Sequence, residues 1–174
     1  LGTILGAYIS KAGVPIELIN RNIAHVEALQ KNGARITGTV QFCQKVTAYT
    51  PKEMAGKYDI LFLMTKQQHN AIVVQNLKEY LAPDGVLVTF QNGLPELQIA
   101  SILSEERVLG CTVAWGATLI EPGVCELTSE VDALSFSLGS ISEKKNKHFA
   151  KVKELLELMG KVDVEENFIG TRWR

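Results

Sequence analysis

The sequence predicts an α/β protein in which helices cover a doubly wound, mostly parallel sheet. Residues 58–64 and 85–90 are continuous apolar runs, and strands of that kind are buried on both faces. A segment with helical character follows each run, and a glycine, a helix and a strand open the chain. Helices that alternate with buried strands are typical of the crossover units of a parallel sheet.

The predicted elements follow one another in a regular order. They are a helix at 3–12, a strand at 15–19, a helix at 23–32, a β excursion at 34–49, a strand at 58–64, a helix at 68–81, a strand at 85–90, a helix at 95–103, strands at 108–114, 125–128 and 134–138, a helix at 144–159 and a strand at 161–164.

Several of these boundaries have a local reason. Gly13 and Gly33 come directly after the first two helices, where glycine is favoured because it adopts left-handed backbone angles. Gly38 is expected to turn the β excursion, and Pro95 suits the first turn of a helix. The helix at 144–159 places its apolar residues on one side.

Composition excludes several classes of protein. Apolar residues make up 46% of the chain and charged residues 21%, which is ordinary for a globular domain. A net charge of −1 without a basic stripe argues against a nucleic-acid partner. No apolar run reaches the roughly 18 residues of a membrane helix, and no signal peptide is evident. We therefore expect a cytoplasmic protein without a membrane partner.

The cysteines and histidines form no recognisable chemical set. Cys43, Cys111 and Cys125 lack the spacing of metal ligands and are expected to be buried small apolar residues, so no metal site is predicted. His25 and His148 fall on predicted helices and are expected to be exposed.

In doubly wound sheets, ligands bind at the carboxyl ends of the strands, so the residues that follow each strand are the candidates. Gly2 is expected to be the third glycine of the G-x-G-x-x-G fingerprint, where close packing of helix on strand leaves no room for a Cβ. Gly6, one turn later, would extend the same close contact. The N-terminus of the helix would then face a pyrophosphate. The alternative is that both are ordinary helix glycines.

Arg21 follows the tip of the strand at 15–19. Enzymes that use NAD usually carry an acid near this tip, whereas this sequence has Asn20 followed by an arginine. A guanidinium can hold a 2′-phosphate with two charge-assisted hydrogen bonds, which favours NADP over NAD. A solvated surface arginine is the alternative.

Two further candidates follow the two most apolar strands. Lys66 comes after the strand at 58–64, in the right place to meet an anion or a carbonyl oxygen. Asn92 lies in an Asn-Gly turn after the strand at 85–90, and an amide there can donate and accept at once. That property suits a nicotinamide ribose or a 2-oxo acid. A solvated lysine and an ordinary turn are the alternatives.

Taken together, these segments resemble the ketopantoate reductase (2-dehydropantoate 2-reductase) family. The matching residues have the order and spacing of the family, and they are Leu1-Gly2 with Gly6, Ile19-Asn20-Arg21, Thr65-Lys66, Gln91-Asn92-Gly93-Leu94, Gly116-Ala117 to Glu121-Pro122-Gly123-Val124, Leu138-Gly139 and Thr171-Arg172-Trp173-Arg174.

The resemblance implies an oxidoreductase that uses NADPH to reduce a small 2-oxo acid, ketopantoate, to pantoate in pantothenate and coenzyme A biosynthesis. A Rossmann-type cofactor domain is expected at 1–166, and a helical substrate domain is expected to begin at 167–174. Cofactor-binding residues are then Leu1 and Gly2 at the pyrophosphate, Arg21 at the 2′-phosphate, Lys66 and Asn92 at the nicotinamide, and Ala117 through its backbone. Lys66 and Asn92 are also the expected substrate-binding residues.

The resemblance also implies that parts of the family pattern fall outside the chain. The first strand and the first two glycines of the fingerprint would precede Leu1. The general-acid lysine would follow the pair Trp173-Arg174, just after the last residue. No catalytic residue is therefore expected within the chain, and the polypeptide by itself is expected to be inactive.

Two other functions stay open on the sequence. One is a related NAD(P)-dependent 2-oxo-acid or hydroxy-acid dehydrogenase with another substrate. The other is a non-enzymatic NADP-binding sensor. A homodimer is compatible with the sequence.

Overall fold

The structure, a computed structural model, describes the backbone of residues 1–172 and the side chains of residues 1–170. Trp173 and Arg174, the pair expected to precede the general-acid lysine, lie outside the described residues. The helices and strands within the described part are α1 (Gly2–Lys11), β1 (Glu17–Ile19), α2 (Ile23–Asn32), β2 (Ala34–Gly38), β3 (Phe42–Gln44), β4 (Thr47–Tyr49), β5 (Tyr58–Leu63), α3 (Asn70–Lys78), β6 (Leu81–Thr89), α4 (Pro95–Leu103), β7 (Val108–Val113), β8 (Ala117–Glu121), β9 (Val124–Leu127), β10 (Ser135–Ser140), α5 (Phe149–Glu157), β11 (Lys161–Glu165) and α6 (Phe168–Arg172).

The chain divides into two compact units. The first comprises Leu1–Met54, Ala114–Leu134 and Leu155–Gly160. The second comprises Ala55–Val113, Ser135–Glu154 and the described residues from Lys161 onward. The expected domain boundary between residues 166 and 167 stays a prediction.

The second unit is built on a five-stranded sheet with the order β11-β10-β7-β6-β5. Strands β5, β6 and β7 are parallel, β10 is antiparallel to β7, and β11 is parallel to β10. Leu63 at the end of β5 pairs with Thr89 at the end of β6, so both strands finish at the same edge. The expectation of a mostly parallel α/β sheet is confirmed.

The core of this unit forms where α3 and α4 pack on the parallel strands. Its buried members are apolar residues of those helices and strands, namely Leu63, Val74, Leu81, Leu87, Ile99, Leu103 and Val108. Phe168 of α6 is also buried and lies over Gly110 of β7 and Gly139 of β10. A Cβ on Gly139 would lie 2.6 Å from Phe168 Cβ and from Phe168 Cδ2, and a Cβ on Gly110 would overlap the ring. The two glycines therefore leave room for the aromatic side chain.

The first unit contains two smaller sheets. β1 pairs with β4 in parallel, and a four-stranded sheet has the order β3-β2-β9-β8. Helix α1 packs on β1, with Ile4, Leu5 and Ile9 fully buried. A Cβ on Gly6 would lie 2.8 Å from Leu18 Cδ1, so the absence of a side chain lets helix and strand approach closely. That contact agrees with the role predicted for Gly6.

The helices predicted at 68–81 and 144–159 are shorter in the structure, each for a local reason. α3 ends at Lys78 because β6 already begins at Leu81, and the Arg107 guanidinium donates to the carbonyls of Ala82 and Gly85 along that strand. α5 begins at Phe149 rather than at residue 144, because the Asn146 side chain accepts from the His148 N–H and forms a turn instead.

One strand was not expected. β8 forms the outer edge of its sheet, and four of its five residues are exposed, so its sequence lacks the alternation that marks a half-buried strand. Among the described residues, no helix combines the length and the apolar character needed to cross a bilayer.

Candidate functional site

Lys66 and Asn92 occupy neighbouring strand tips in the second unit. Lys66 lies three residues beyond the end of β5, and Asn92 lies three residues beyond the end of β6, the adjacent parallel strand. Both side chains are exposed. The Phe90 N–H donates to the Leu63 carbonyl at 3.0 Å, so the two chains are still paired just before they diverge. The structure therefore brings these two predicted residues to one edge of the sheet.

A buried amide network holds the two loops that carry them. Asn70 Nδ2 donates to Gln91 Oε1 at 2.7 Å, and Gln91 Nε2 donates to Asn70 Oδ1 at 2.8 Å. Gln91 Nε2 also donates to the Thr65 carbonyl at 2.7 Å. Asn70 and Gln91 are 1% and 6% exposed, so the bonds are sheltered from water. Burial makes each of these bonds costly to break, because an unpaired polar group would remain.

The network assigns different roles to Gln91 and Asn92. The Gln91 amide is buried and hydrogen-bonded within the protein, whereas the Asn92 side chain is exposed. Gly93 follows with φ +81°, and a Cβ there would lie 3.2 Å from Gln67 Nε2, so the two loops touch. Asn92 is thus an exposed amide at this edge of the sheet.

In the first unit, the N-terminus of α1 has the features of an anion site. Leu1 occupies the N-cap position, and no side chain caps the helix. The first N–H groups of a helix have no intrahelical acceptor, and the helix dipole favours negative charge there. Because Gly2 opens a ten-residue helix whose Gly6 permits close packing on β1, the residues present fit a pyrophosphate.

Arg21 lies at the tip of β1, in a segment shaped by two asparagines. The Asn22 N–H donates to Asn20 Oδ1 at 2.9 Å, and Asn22 Oδ1 caps α2 by accepting from the His25 N–H at 3.2 Å. The Arg21 side chain is exposed between them. A short, locally hydrogen-bonded bend therefore presents the guanidinium to solvent, where it is available to a phosphate.

His25 connects the start of α2 to the start of α1. Its Nδ1 accepts from the Gly123 N–H at 3.0 Å, and the neutral ring therefore carries its proton on Nε2 and donates to Thr3 Oγ1 at 3.0 Å. The residue is 3% exposed, so the expectation of an exposed His25 is wrong. Burial lowers the pKa of His25 below its ordinary value of 6.5. Through this ring, the segments that contain Gly2 and Arg21 are held at one edge of the unit.

Ala117 lies away from that edge. It begins β8 and pairs with Leu127, while the Gly123 turn that contacts His25 is at the other end of the same hairpin. Four residue steps along β8, from Ala117 to Glu121, span about 13 Å. The cofactor contact of the Ala117 backbone stays a prediction.

Among the described residues, ligand atoms of Asp59, Asp84 and His148 lie within 4.8 Å of one another, and Asp84 forms an ion pair with Lys147. Within the described residues, Cys111 and Cys125 are buried as expected, whereas Cys43 is exposed and that expectation is wrong.

The sequence reasoning missed Asn70, Thr3 and the burial of His25. Asn70 falls inside a predicted helix, and its partner Gln91 lies 21 residues away. The sequence gives one indication of this network. Thr65 and Gln91 are both polar, and each directly follows an apolar run that is predicted to be a strand.

Comparisons with known proteins agree on one family. Residues 1–140 match the family described as ketopantoate reductase PanE/ApbA. A 2-dehydropantoate 2-reductase of Streptococcus pyogenes serotype M3 is 27% identical over 176 residues, which cover 100% of this chain and 56% of the relative. The chain thus spans about half the length of the curated relatives it matches.

Solved structures show the same fold. The 2-dehydropantoate 2-reductase of Geobacter metallireducens GS-15 superposes with a TM-score of 0.84 at 21% identity, over 98% of this chain and 56% of the other. A D-mandelate dehydrogenase in complex with NADH and anilino(oxo)acetate superposes with a TM-score of 0.82 at 18% identity, over 95% of this chain and 53% of the other.

Proposed function

Because the chain belongs to the ketopantoate reductase family, we propose that its protein reduces 2-dehydropantoate to pantoate with NADPH, a step of pantothenate and coenzyme A biosynthesis. The family match and the curated relatives support this activity. The observation that carries it for this chain is the placement of exposed Lys66 and Asn92 at adjacent tips of parallel strands.

The two residues have complementary chemistry toward a 2-oxo acid. The Lys66 ammonium offers positive charge to a carboxylate or to the oxygen on which negative charge develops during reduction. The Asn92 amide can donate to the same oxygen and accept from a hydroxyl group. A bound nicotinamide supplies the hydride, and the chain contributes orientation and charge at the receiving carbonyl.

The cofactor contacts follow the same proposal. Leu1 and Gly2 hold the pyrophosphate at the start of α1, Arg21 holds the 2′-phosphate, and the Ala117 backbone contacts the dinucleotide. The choice of NADP over NAD rests on Arg21, because the tip of β1 offers a guanidinium and two amides rather than a carboxylate. A guanidinium pairs with a phosphate dianion and has no comparable partner on an unmodified ribose.

The chain spans about half the length of the curated relatives it matches, so the test uses protein expressed from the complete gene. We expect NADPH oxidation with ketopantoate at a kcat/KM well above that with pyruvate, 2-oxoglutarate or phenylglyoxylate. Equal rates with all four acids, or none with ketopantoate, would contradict the proposal.

A second candidate is a related 2-hydroxy-acid dehydrogenase. It is favoured by the structural likeness to D-mandelate dehydrogenase, which was solved with NADH. This candidate predicts the highest kcat/KM with phenylglyoxylate and a preference for NADH. The same panel of four 2-oxo acids, measured with each cofactor, separates the two. Cytoplasmic location and a homodimer stay predictions.

A further inference from the structure

We propose that the Gln91–Asn70 amide pair is a positioning device that sets the spacing between Lys66 and Asn92, an inference that rests on the proposed function. Neither residue is assigned contact with a ligand. Their side chains are 6% and 1% exposed, and they act through the two loops that they join.

The geometry of the pair is reciprocal. Each amide donates one hydrogen bond to the other, at 2.7 Å and 2.8 Å, which fixes the orientation of both groups. Gln91 Nε2 also donates to the Thr65 carbonyl at 2.7 Å and lies 3.4 Å from Thr65 Oγ1. Thr89 Oγ1 also donates to Gln91 Oε1 at 3.3 Å, from within β6. The Gln91 side chain is therefore restrained from three directions.

These bonds hold the Lys66 loop at both ends. Thr65 immediately precedes Lys66, and Asn70 begins α3 after the single turn Gln67–His69. Gln91 contacts both Thr65 and Asn70, and it immediately precedes Asn92 in the chain. One side chain thus links the backbone next to one candidate residue with both ends of the loop that carries the other.

An apolar pair could fill the same space but would not fix the position of the loop that carries Lys66. Apolar contacts are non-directional, so they would hold β5 and β6 together without defining where the loop beyond β5 lies. Hydrogen bonds have preferred angles and distances, and buried amides that lose a partner are heavily penalised. The loop therefore has one favoured position relative to Asn92.

The test exchanges the two side chains. Gln91→Asn shortens one partner and leaves the bonds unmade, whereas combining it with Asn70→Gln restores the total length of the pair. Asn76→Gln, an exposed amide on the same helix, serves as the matched control. Each variant is made in protein expressed from the complete gene, and hydrogen exchange of residues 65–70, thermal stability and kcat/KM with NADPH and ketopantoate are measured.

For Gln91→Asn we expect faster exchange at residues 65–70 and a loss in kcat/KM of about tenfold to a hundredfold, the effect of misplacing a reacting group by about 1 Å. The combined variant should recover most of both, and Asn76→Gln should behave as the parent. Parent-like exchange and kinetics in Gln91→Asn would overturn the proposal. So would a combined variant with parental stability but without recovery.

A further variant and a readout independent of activity test the proposal if Gln91→Asn does not fold or if the parent protein is inactive. If Gln91→Asn does not fold, Asn70→Ser retains the Gln91–Thr65 bond and releases only the α3 end of the loop. Faster exchange with reduced kcat/KM then supports the proposal, and parental values in both refute it. If the parent protein reduces no 2-oxo acid, the proposed function fails, while hydrogen exchange still decides whether the pair fixes the loop.

Discussion

Replacing Gly6 with alanine tests whether close approach of α1 to β1 is required. The new Cβ would lie 2.8 Å from Leu18 Cδ1, 2.9 Å from Cγ and 3.1 Å from Cδ2. Ordinary carbon contacts are about 3.5–4.0 Å, so three atoms of one buried side chain must shift together by about 0.5 Å or more. Rotation of a single methyl group does not relieve contacts with all three.

The expected magnitude is the difference of two opposing effects. Overpacking of a tight contact costs about 1–3 kcal/mol, whereas alanine gains about 1 kcal/mol over glycine inside a helix. We therefore expect Gly6→Ala to lower the free energy of unfolding by up to about 2 kcal/mol. In a chain of this size, each 1 kcal/mol corresponds to about 2–4 °C in Tm.

A double-mutant cycle isolates the contact. In a Leu18→Ala background the obstructing atoms are gone, so Gly6→Ala should raise stability by about 1 kcal/mol, the helix preference alone. Chemical denaturation of the four proteins measures the coupling. If Gly6→Ala had the same effect in both backgrounds, the contact with Leu18 would not be the reason for a glycine at position 6. The argument that α1 must pack closely on β1 would then fail.

Three further predictions concern the site. Arg21→Ala should weaken NADPH binding by about tenfold to a hundredfold while leaving NADH binding nearly unchanged, since one charge-assisted bond contributes about 1.5–3 kcal/mol. Asn92→Ala should lower kcat with ketopantoate and leave Tm within about 2 °C, because exposed substitutions change stability little. Burial lowers the pKa of His25, so the unfolded chain binds more protons than the native one and stability should fall as pH drops below about 6.5.

Each of these has a control. Arg21→Lys retains the charge but not the two-pronged geometry, and equal losses for both dinucleotides in Arg21→Ala would argue against a phosphate contact. Gln98→Ala, an exposed amide on α4, is the reference for Asn92→Ala, whose unchanged kinetics would remove Asn92 from the site. His25→Gln should flatten the stability profile below about pH 6.5, and an unchanged slope would place the titrating group elsewhere.

The parts of the fold that were predictable have strong local determinants. Helix α2 has the predicted bounds because Asn22 caps its start and Gly33, at φ +76°, ends it. Helix α4 also has the predicted bounds, with Pro95 as its first residue. Lys66 and Asn92 were placed together by a general rule, since residues that follow adjacent parallel strands leave the same edge of a sheet.

The parts that were not predictable depend on distant partners. His25 is buried because it bonds Thr3, 22 residues away, and Gly123, 98 residues away. No periodicity along α2 reveals either contact. The Gln91 amide likewise resembles that of Asn92 in the sequence, and only its bonds to Asn70 and Thr65 show which of the two is buried.

The central claim is that Lys66 and Asn92 share one ligand at the adjacent tips of β5 and β6, and titration of labelled protein with NADP⁺ tests it most directly. Amide resonances of both residues should shift with a single dissociation constant, and that of the Asn76 control should not move. If Lys66 and Asn92 stayed unchanged at saturation, the residues at the tips of β5 and β6 would have no part in binding the cofactor, and the claim would be contradicted.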